Sequence, residues 1–264
     1  MPVHFIKSLT ANGARALENL TQGAPESWRP AFFKVLMKDL SSNLAKGLLE
    51  TESPSSVVVA VEAEEVDHLG RPFIEHLEAL GIRTRLACFW MRRRGVRDRA
   101  RTIIATSCQQ YVDPDDVQLP EDVDLSADNG IIEEVEELVI LQPVAARPDF
   151  AEFAFKRLGG TQRFSRVILV APIVHPRAIN SAIQKLGELY EEPSVVGCVR
   201  IDDDTGVIGL TRYGSEGLLH TTRSNLKTRY FPEFMELRMN LRKSHESKNQ
   251  RSGPSFGQSN DDGI

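Results

Sequence analysis

The segment Val139-Ile140-Leu141-Gln142-Pro143-Val144-Ala145-Ala146-Arg147-Pro148 is followed, 28 residues later, by Val167-Ile168-Leu169-Val170-Ala171-Pro172-Ile173-Val174-His175-Pro176. Each copy is a short β-branched apolar run, then a proline-marked loop and a segment with helical apolar spacing. This pattern is typical of consecutive βα units in a parallel sheet. The sequence therefore predicts an open α/β domain, in which ligands bind outside the carboxyl ends of the strands. Those ends are predicted at 142–149 and 172–177.

The other elements follow from apolar periodicity and from proline and glycine signals. Helices are predicted at 14–20, 28–49, 66–80 and 232–241. Strands are predicted at 56–61, 84–90, 102–106, 194–201 and 207–210. Residues 1–25 are expected to form an ordered but irregular lead-in to one domain at 26–242. The segment 243–264 has no apolar period, which predicts a disordered tail.

Composition indicates an ordinary globular protein. With 264 residues and 41% hydrophobic content, the chain can bury a sizeable core. No apolar run approaches the roughly 20 residues that span a bilayer, and the N-terminus lacks the basic-then-apolar order of a signal peptide. We therefore expect a cytoplasmic protein without a membrane partner. Three widely spaced cysteines, Cys88, Cys108 and Cys198, predict buried free thiols rather than a disulfide or metal site.

Charge is strongly segregated within the net charge of -5. Arginine occupies positions 83, 85, 92, 93, 94, 97, 99 and 101, whereas 113–137 holds eleven acidic residues and no lysine or arginine. The arginines could form an anion site, pair with the acidic segment or simply face solvent. We interpret 91–137 as an extended arm, because long excursions in α/β domains are usually functional loops, β-arms or dimer contacts. Limited aromatic interleaving argues against a nucleic-acid partner.

Five segments resemble the uracil phosphoribosyltransferase family. They are 28–33 before a helix, the strand at 57–61, and the segments 138–158, 165–184 and 201–219. Segment 138–158 stands where that family has a D-P-x-x-A-T-G-G-S loop followed by a helix. The resemblance implies a phosphoribosyltransferase-like parallel sheet flanked by helices, and a homo-oligomer. It also implies an enzyme that converts uracil and phosphoribosyl pyrophosphate, bound with magnesium, to UMP and pyrophosphate.

The resemblance assigns the subsites of that reaction to particular positions. The loop for the ribose and its phosphate corresponds to Gln142, Ala145, Ala146, Arg147 and Asp149. The pyrophosphate side corresponds to Glu62, Glu64 and Arg97. The loop that holds the base corresponds to Val207, Ile208, Gly214 and Ser215.

These positions depart from the family pattern where the chemistry is performed. Gln142 replaces the acid that meets the ribose hydroxyls, and the loop after it has no glycine to let the backbone wrap a phosphate. Arg147 could supply a replacement charge as a side-chain fork. Glu62 and Glu64 stand where the family's arginine faces the pyrophosphate. We therefore predict that the ordinary chemistry is lost or altered, which leaves a binding or regulatory protein or a repurposed enzyme. The alternative is an active uracil phosphoribosyltransferase of pyrimidine salvage.

The remaining motifs assign little chemistry. His175, on the turn after the 167–170 strand, could carry a proton, although a histidine beside proline is more often a turn or surface residue. His68, His76 and His220 are scattered and receive no role. The chain has no HExxH, GxSxG or Walker-type spacing, so metalloprotease, hydrolase and NTPase classes have no support. The sequence assigns no metal site and no catalytic residue, magnesium is expected only with an active enzyme, and the expected ligand is a nucleotide or another small metabolite.

Overall fold

The computed structural model describes residues 3–22, 30–51, 54–92, 107–112, 136–145, 149–159, 164–174, 176, 180, 184, 186–187, 193–200, 232–238 and 240. The helices are α1 (Ala11–Gln22), α2 (Pro30–Thr51), α3 (Arg71–Ala79) and α4 (Asp149–Gly159). The strands are β1 (Val3–Phe5), β2 (Ser56–Glu62), β3 (Arg83–Arg92), β4 (Ser107–Val112), β5 (Glu136–Leu141), β6 (Val144–Ala145), β7 (Phe164–Val174) and β8 (Ser194–Arg200). A 3-10 turn at Ala63–Glu65 and a π-helical turn at Val66–Gly70 link β2 to α3.

One sheet joins the strands in the order β1-β8-β7-β5-β2-β3-β4, and β6 pairs with β7 just beyond the end of β5. The pairings are parallel except that of β3 with β4. Parallel strands covered on both faces need apolar side chains on both faces, and residues 57–61 of β2 are all fully buried. The prediction of an α/β fold with a mostly parallel sheet and flanking helices is confirmed.

Alternate residues of the strands pack into two hydrophobic cores on opposite faces of the sheet. In β2, Val57, Val59 and Val61 pack with buried residues of α1, α2 and α3, and we name this side the α2 face. Val58 and Ala60 pack with buried residues of α4, and we name that side the α4 face. Because strand residues alternate, these two cores fix the face to which each neighbouring position belongs.

The N-terminal segment is more regular than its sequence suggests. Residues 3–5 form β1, which pairs with the start of β8, and the backbone N–H of Ile6 extends the contact by donating to the carbonyl of Gly197 at 2.8 Å. The segment 1–25 was expected to be irregular because three residues are too few for an alternating pattern to show. Only the partner strand β8 makes this segment a strand.

β7 also runs further than predicted. The strand continues through Pro172 to Val174, so its carboxyl end lies beyond the predicted start at 172. Two neighbours carry the extension: β8 pairs Val199 with Ile173, and β6 pairs Val144 with Ile173 on the side where β5 has ended. Pro172 has no N–H, but its neighbours supply the ladder contacts.

Several other predictions agree with the described residues. The helices at 14–20, 28–49 and 66–80 correspond to α1, α2 and the π turn followed by α3, and Gly81 takes a positive φ of 83° after α3. Residues 233–238 are helical, within the predicted segment 232–241. Cys88 and Cys198 are buried thiols that form no disulfide, as predicted. The predicted strands 102–106 and 207–210, most of the arm at 91–137 and the tail 243–264 lie outside the described residues. None of the described helices combines the length and apolar character needed to cross a membrane.

Candidate functional site

The sheet reverses its direction of growth between β2 and β5. From β2 the chain continues to β3 on one side, whereas the later strands β5, β7 and β8 follow in order on the other side. Such a reversal separates the connections at the carboxyl ends of the two central strands and leaves a crevice between them. The register aligns Val61 with Leu141, so the next residues on the two strands are Glu62 and Gln142. We name the residues 62–65 together with Gln142 the switch-point edge.

Gln142 is the most unusual polar residue of this edge. Its backbone N–H donates to the carbonyl of Val170 at 3.0 Å, so the residue continues the β5 ladder by one step. The residue is only 6% exposed, yet Oε1 has no hydrogen-bond partner in the part of the chain that the structure describes. A buried polar atom left without a partner costs about 1 to 3 kcal/mol. Gln142 therefore presents an acceptor that a ligand could satisfy.

Glu62 lies beside Gln142 on the same face of the sheet. Val61 and Leu141 belong to the α2 face, so the alternation of strand residues places Glu62 and Gln142 on the α4 face. Neighbouring strands are about 4.8 Å apart, which brings the two residues to adjacent positions. On the other side of Glu62, the register pairs it with Phe89 of β3. An acid and an amide thus stand side by side between aromatic and aliphatic neighbours.

Three phenylalanines form the aromatic side of this arrangement. The ring of Phe89 meets the ring of Phe150 edge-on at a centroid distance of 5.6 Å and that of Phe153 at 6.4 Å. Phe89 and Phe150 are buried, whereas Phe153 is half-buried at the margin of the core. α4 is thereby fixed over β3 with its first turn near the carboxyl ends of the strands.

The turns that follow β2 contain a buried contact between an acid and a histidine. Nε2 of His68 lies 2.5 Å from Oε2 of Glu65, and both residues are buried, at 7% and 2% exposed. The pair joins the 3-10 turn to the π-helical turn, a rare structure that is frequent at functional sites. No role for His68 is predicted from the sequence. The signal that could have found the pair is the three-residue spacing of an acid and a histidine directly after a buried strand.

Asp67, between these two residues, holds a distant segment of the chain. Its carboxylate accepts the backbone N–H groups of Glu233 at 3.1 Å and Phe234 at 2.9 Å. The guanidinium groups of Arg71 and Arg238 lie 5.7 and 5.6 Å from the centre of the Phe234 ring. These contacts attach the helical residues 233–238 to the turns that follow β2.

Arg238 adds two further contacts to this attachment. Nη1 donates to Oε1 of Glu78 at 2.8 Å, and Nη2 donates to the carbonyl of Thr84 at 3.0 Å. Arg238 therefore ties the C-terminal helical residues to α3 and to the start of β3. The segment belongs to the folded domain.

The residues predicted for the site are distributed unevenly. Glu62 and Gln142 come together as described, and Glu64 lies half-buried in the 3-10 turn two residues after Glu62. Ala145 lies in β6 and is fully buried on the α4 face, so its side chain is part of the core. Asp149 is the first residue of α4. The other predicted positions, Ala146, Arg147, Arg97, His175, Val207, Ile208, Gly214 and Ser215, lie outside the described residues.

Among the described residues, this edge presents carboxylates and the side-chain amide of Gln142. Cys198 lies in β8, outside the switch-point edge. Burial raises the pKa of its thiol to about 12, so this cysteine stays protonated at neutral pH and is a poor nucleophile. Among the described residues, no three or more His, Cys, Asp or Glu side chains are placed to hold a metal ion. The groups that the structure does bring to the edge are carboxylates and an amide oxygen. Their oxygens can accept hydrogen bonds.

Comparison with known proteins adds little to this description. No family model matches the chain, and no curated protein matches it. Twenty-seven chains of solved structures do match. One is the crystal structure of L. donovani hypoxanthine-guanine phosphoribosyl transferase, 11% identical, where the match covers 62% of this chain and 77% of that chain at a TM-score of 0.30. A match at this score has no weight for family or function.

Proposed function

We propose that the chain is a divergent relative of the uracil phosphoribosyltransferases that binds a small molecule at the switch-point edge. In this proposal the ordinary conversion of uracil and phosphoribosyl pyrophosphate to UMP is lost or altered. The chain then acts as a binding or regulatory protein, or as an enzyme on another substrate. The sequence resemblance supports the relationship, and the sheet order supports the place of binding, because the crevice of an open α/β sheet lies at its switch point.

The acidic residues of the switch-point edge are the observation that supports the loss of the ordinary chemistry. Phosphoribosyl pyrophosphate carries several negative charges, and like charges that face each other destabilise a complex. The resemblance places the pyrophosphate beside Glu62 and Glu64 and the ribose beside Gln142. Glu62 and Gln142 occupy adjacent positions at the ends of β2 and β5. The resemblance expects an arginine where the chain has Glu62 and Glu64, and this reversal of charge opposes the donor substrate.

Calorimetric titration with phosphoribosyl pyrophosphate and magnesium, with UMP and uracil in parallel, tests this proposal. We expect no saturable binding of phosphoribosyl pyrophosphate or UMP and no formation of UMP from uracil. Magnesium alone is the blank, because it would otherwise contribute its own heat. Saturable binding of phosphoribosyl pyrophosphate would overturn the proposal.

The alternative is an active uracil phosphoribosyltransferase in pyrimidine salvage. It is favoured by polar residues at the ends of β2 and β5, the two positions where the resemblance puts the pyrophosphate and the ribose. A UMP-forming assay with labelled uracil decides between the two, since only the alternative predicts product that depends on both substrates. If UMP forms, Gln142→Ala and Glu62→Ala should be assayed next, because the alternative gives both residues a role at the substrate.

A further inference from the structure

The turns that follow β2 depend on anchors from other elements. One is a 3-10 turn, whose hydrogen-bond geometry is poorer than that of an α-helix, and the other is a single π-helical turn, a rare form. In the described part of the chain, neither turn begins with a side-chain cap. From α2, the hydroxyl of Ser41 donates to the carbonyl of Leu69 at 2.7 Å and so fixes the end of the π-helical turn.

A second anchor comes from the helical residues 233–238, which we name the strap. Asp67 of the π-helical turn accepts the backbone N–H groups of Glu233 and Phe234, 166 and 167 residues further along the chain. These N–H groups belong to the first turn of the strap, where a helix supplies no partner of its own. One carboxylate therefore completes the start of the strap and ties it to the turn that contains Asp67.

Burial makes the attachment more than a pair of hydrogen bonds. Phe234 and Met235 are 4% and 0% exposed, and both belong to the core of the α2 face. At the end of the strap, Arg238 donates to Glu78 of α3 and to the carbonyl of Thr84. Undocking would expose the two apolar side chains to water and break the polar contacts at both ends of the strap. The strap is therefore expected to dock and undock as a unit.

We propose that the strap is a conformational device that controls the shape of the turns at the switch-point edge. When the strap undocks, it releases Asp67, and the turns at 63–70 lose their fixed conformation. The central sheet stays folded, because β2 and β5 are paired with strands on both sides and buried on both faces. Such partial opening below the free energy of global unfolding is ordinary in proteins. The coupling goes beyond the proposed function, because it holds whatever the edge binds.

Native-state hydrogen exchange of the full chain, followed at increasing urea below the unfolding transition, tests the proposal. We expect the amides of 63–70 and of the strap to exchange together and faster than the central amides of β5 and β7. Their exchange should also depend less on urea, because undocking the strap exposes less surface than global unfolding does.

Phe234→Ala is the decisive variant because it weakens docking without touching the turns at 63–70. Truncating a buried phenylalanine shifts the docking equilibrium by more than tenfold, so the amides of 63–70 should exchange at least about ten times faster. Leu237→Ala is the matched control, because Leu237 belongs to the same strap but is 43% exposed. It should leave the exchange of 63–70 unchanged. If Phe234→Ala does not fold, Asp67→Ala replaces it and should accelerate exchange in both the strap and the turns.

Two results would overturn the proposal. Faster exchange of the strap in Phe234→Ala with unchanged exchange of 63–70 would show that the turns keep their conformation without the strap. Exchange of 63–70 at the rate and with the urea dependence of the central strands would show that they open only when the whole protein unfolds. The titration with phosphoribosyl pyrophosphate tests the proposed function separately, because its outcome does not depend on the exchange of these amides.

Discussion

Two buried amides, Asn43 and Gln142, show how differently the fold treats polar groups in two regions. Asn43 of α2 is 1% exposed: its Oδ1 accepts the backbone N–H of Thr10 at 2.8 Å, and its Nδ2 donates to Oγ1 of Thr10 at 3.2 Å and to the carbonyl of Asp39 at 3.1 Å. Gln142 is 6% exposed, and its Oε1 has no partner among the described residues. Asn43 is satisfied by the fold, whereas the Oε1 of Gln142 is buried without a hydrogen-bond partner in the described part of the chain.

The difference follows from where the two residues lie. Asn43 joins the segment before α1 to α2, on the side of the sheet where helices are packed together, and Ser41 nearby likewise donates to the carbonyl of Leu69 at 2.7 Å. Gln142 lies at the carboxyl end of a central strand, where connections diverge and the fold supplies fewer partners. A buried polar group that the fold satisfies supports stability, whereas one that it leaves open at a crevice is a candidate for binding.

The largest effect on stability is expected at Asn43. Asn43→Ala removes three hydrogen bonds and leaves the backbone N–H of Thr10 without its acceptor, which should cost about 2 kcal/mol of unfolding free energy. Urea denaturation measures the loss. A loss below about 0.5 kcal/mol would mean that water replaces the amide, and the contrast with Gln142 would fail.

A smaller loss is expected at Asp67, which tests whether partners or position decide the behaviour of a polar residue. Asp67 lies in the turns that follow β2, but both of its oxygens accept backbone N–H groups of the helical residues 233–238. It should therefore behave like Asn43. Asp67→Ala should cost about 1 kcal/mol, as the loss of a helix cap does, and Asp67→Asn less, because the amide keeps one acceptor. Urea denaturation of both variants would contradict this if Ala and Asn cost the same.

Gln142 is expected to show the opposite sign. Gln142→Leu removes a buried acceptor that lacks a partner and keeps a side chain of similar size, so the free energy of unfolding should stay the same or rise by up to about 1 kcal/mol. The same urea experiment measures it. A loss of more than about 1 kcal/mol would show that Gln142 supports the fold as Asn43 does, which would remove the distinction between the two regions.

The sequence predicted the central sheet well because its signal is local. The runs at 57–61, 138–141 and 167–170 are buried on both faces of parallel strands, and such runs are apolar throughout. β1, β4 and β6 were not predicted. β4 lies within the segment interpreted as an arm, whereas β1 and β6 have only three and two residues and exist through their partners, β8 and β7. Pro172 appeared to end a strand, but the pairing of its neighbours carries β7 past it.

The candidate site was predictable only in part, for a related reason. Glu62 and Gln142 could be named because each directly follows a predicted strand. Their adjacency on one face could not be read from the chain, since it depends on the order of strands and on the register of Val61 with Leu141. The contact between Glu65 and His68 was not predicted, because the sequence does not show that both residues are buried and lie 2.5 Å apart.

The smallest effect is expected at Glu137, near the amino end of the same strand that Gln142 follows. Its Oε2 has no hydrogen-bond partner in the described part of the chain, and burial raises the pKa of its carboxyl above the ordinary value of 4.5. A raised pKa means that the folded state favours the protonated form. The stability this gives is present below the ordinary value and is lost as the pH rises through the folded pKa.

Glu137→Gln should therefore equal the unmodified protein in stability near about pH 4 and exceed it at about pH 7, where the unmodified side chain is charged. Urea denaturation across that range measures the difference. If Glu137→Gln were less stable at neutral pH, the Glu137 carboxylate would have a favourable partner.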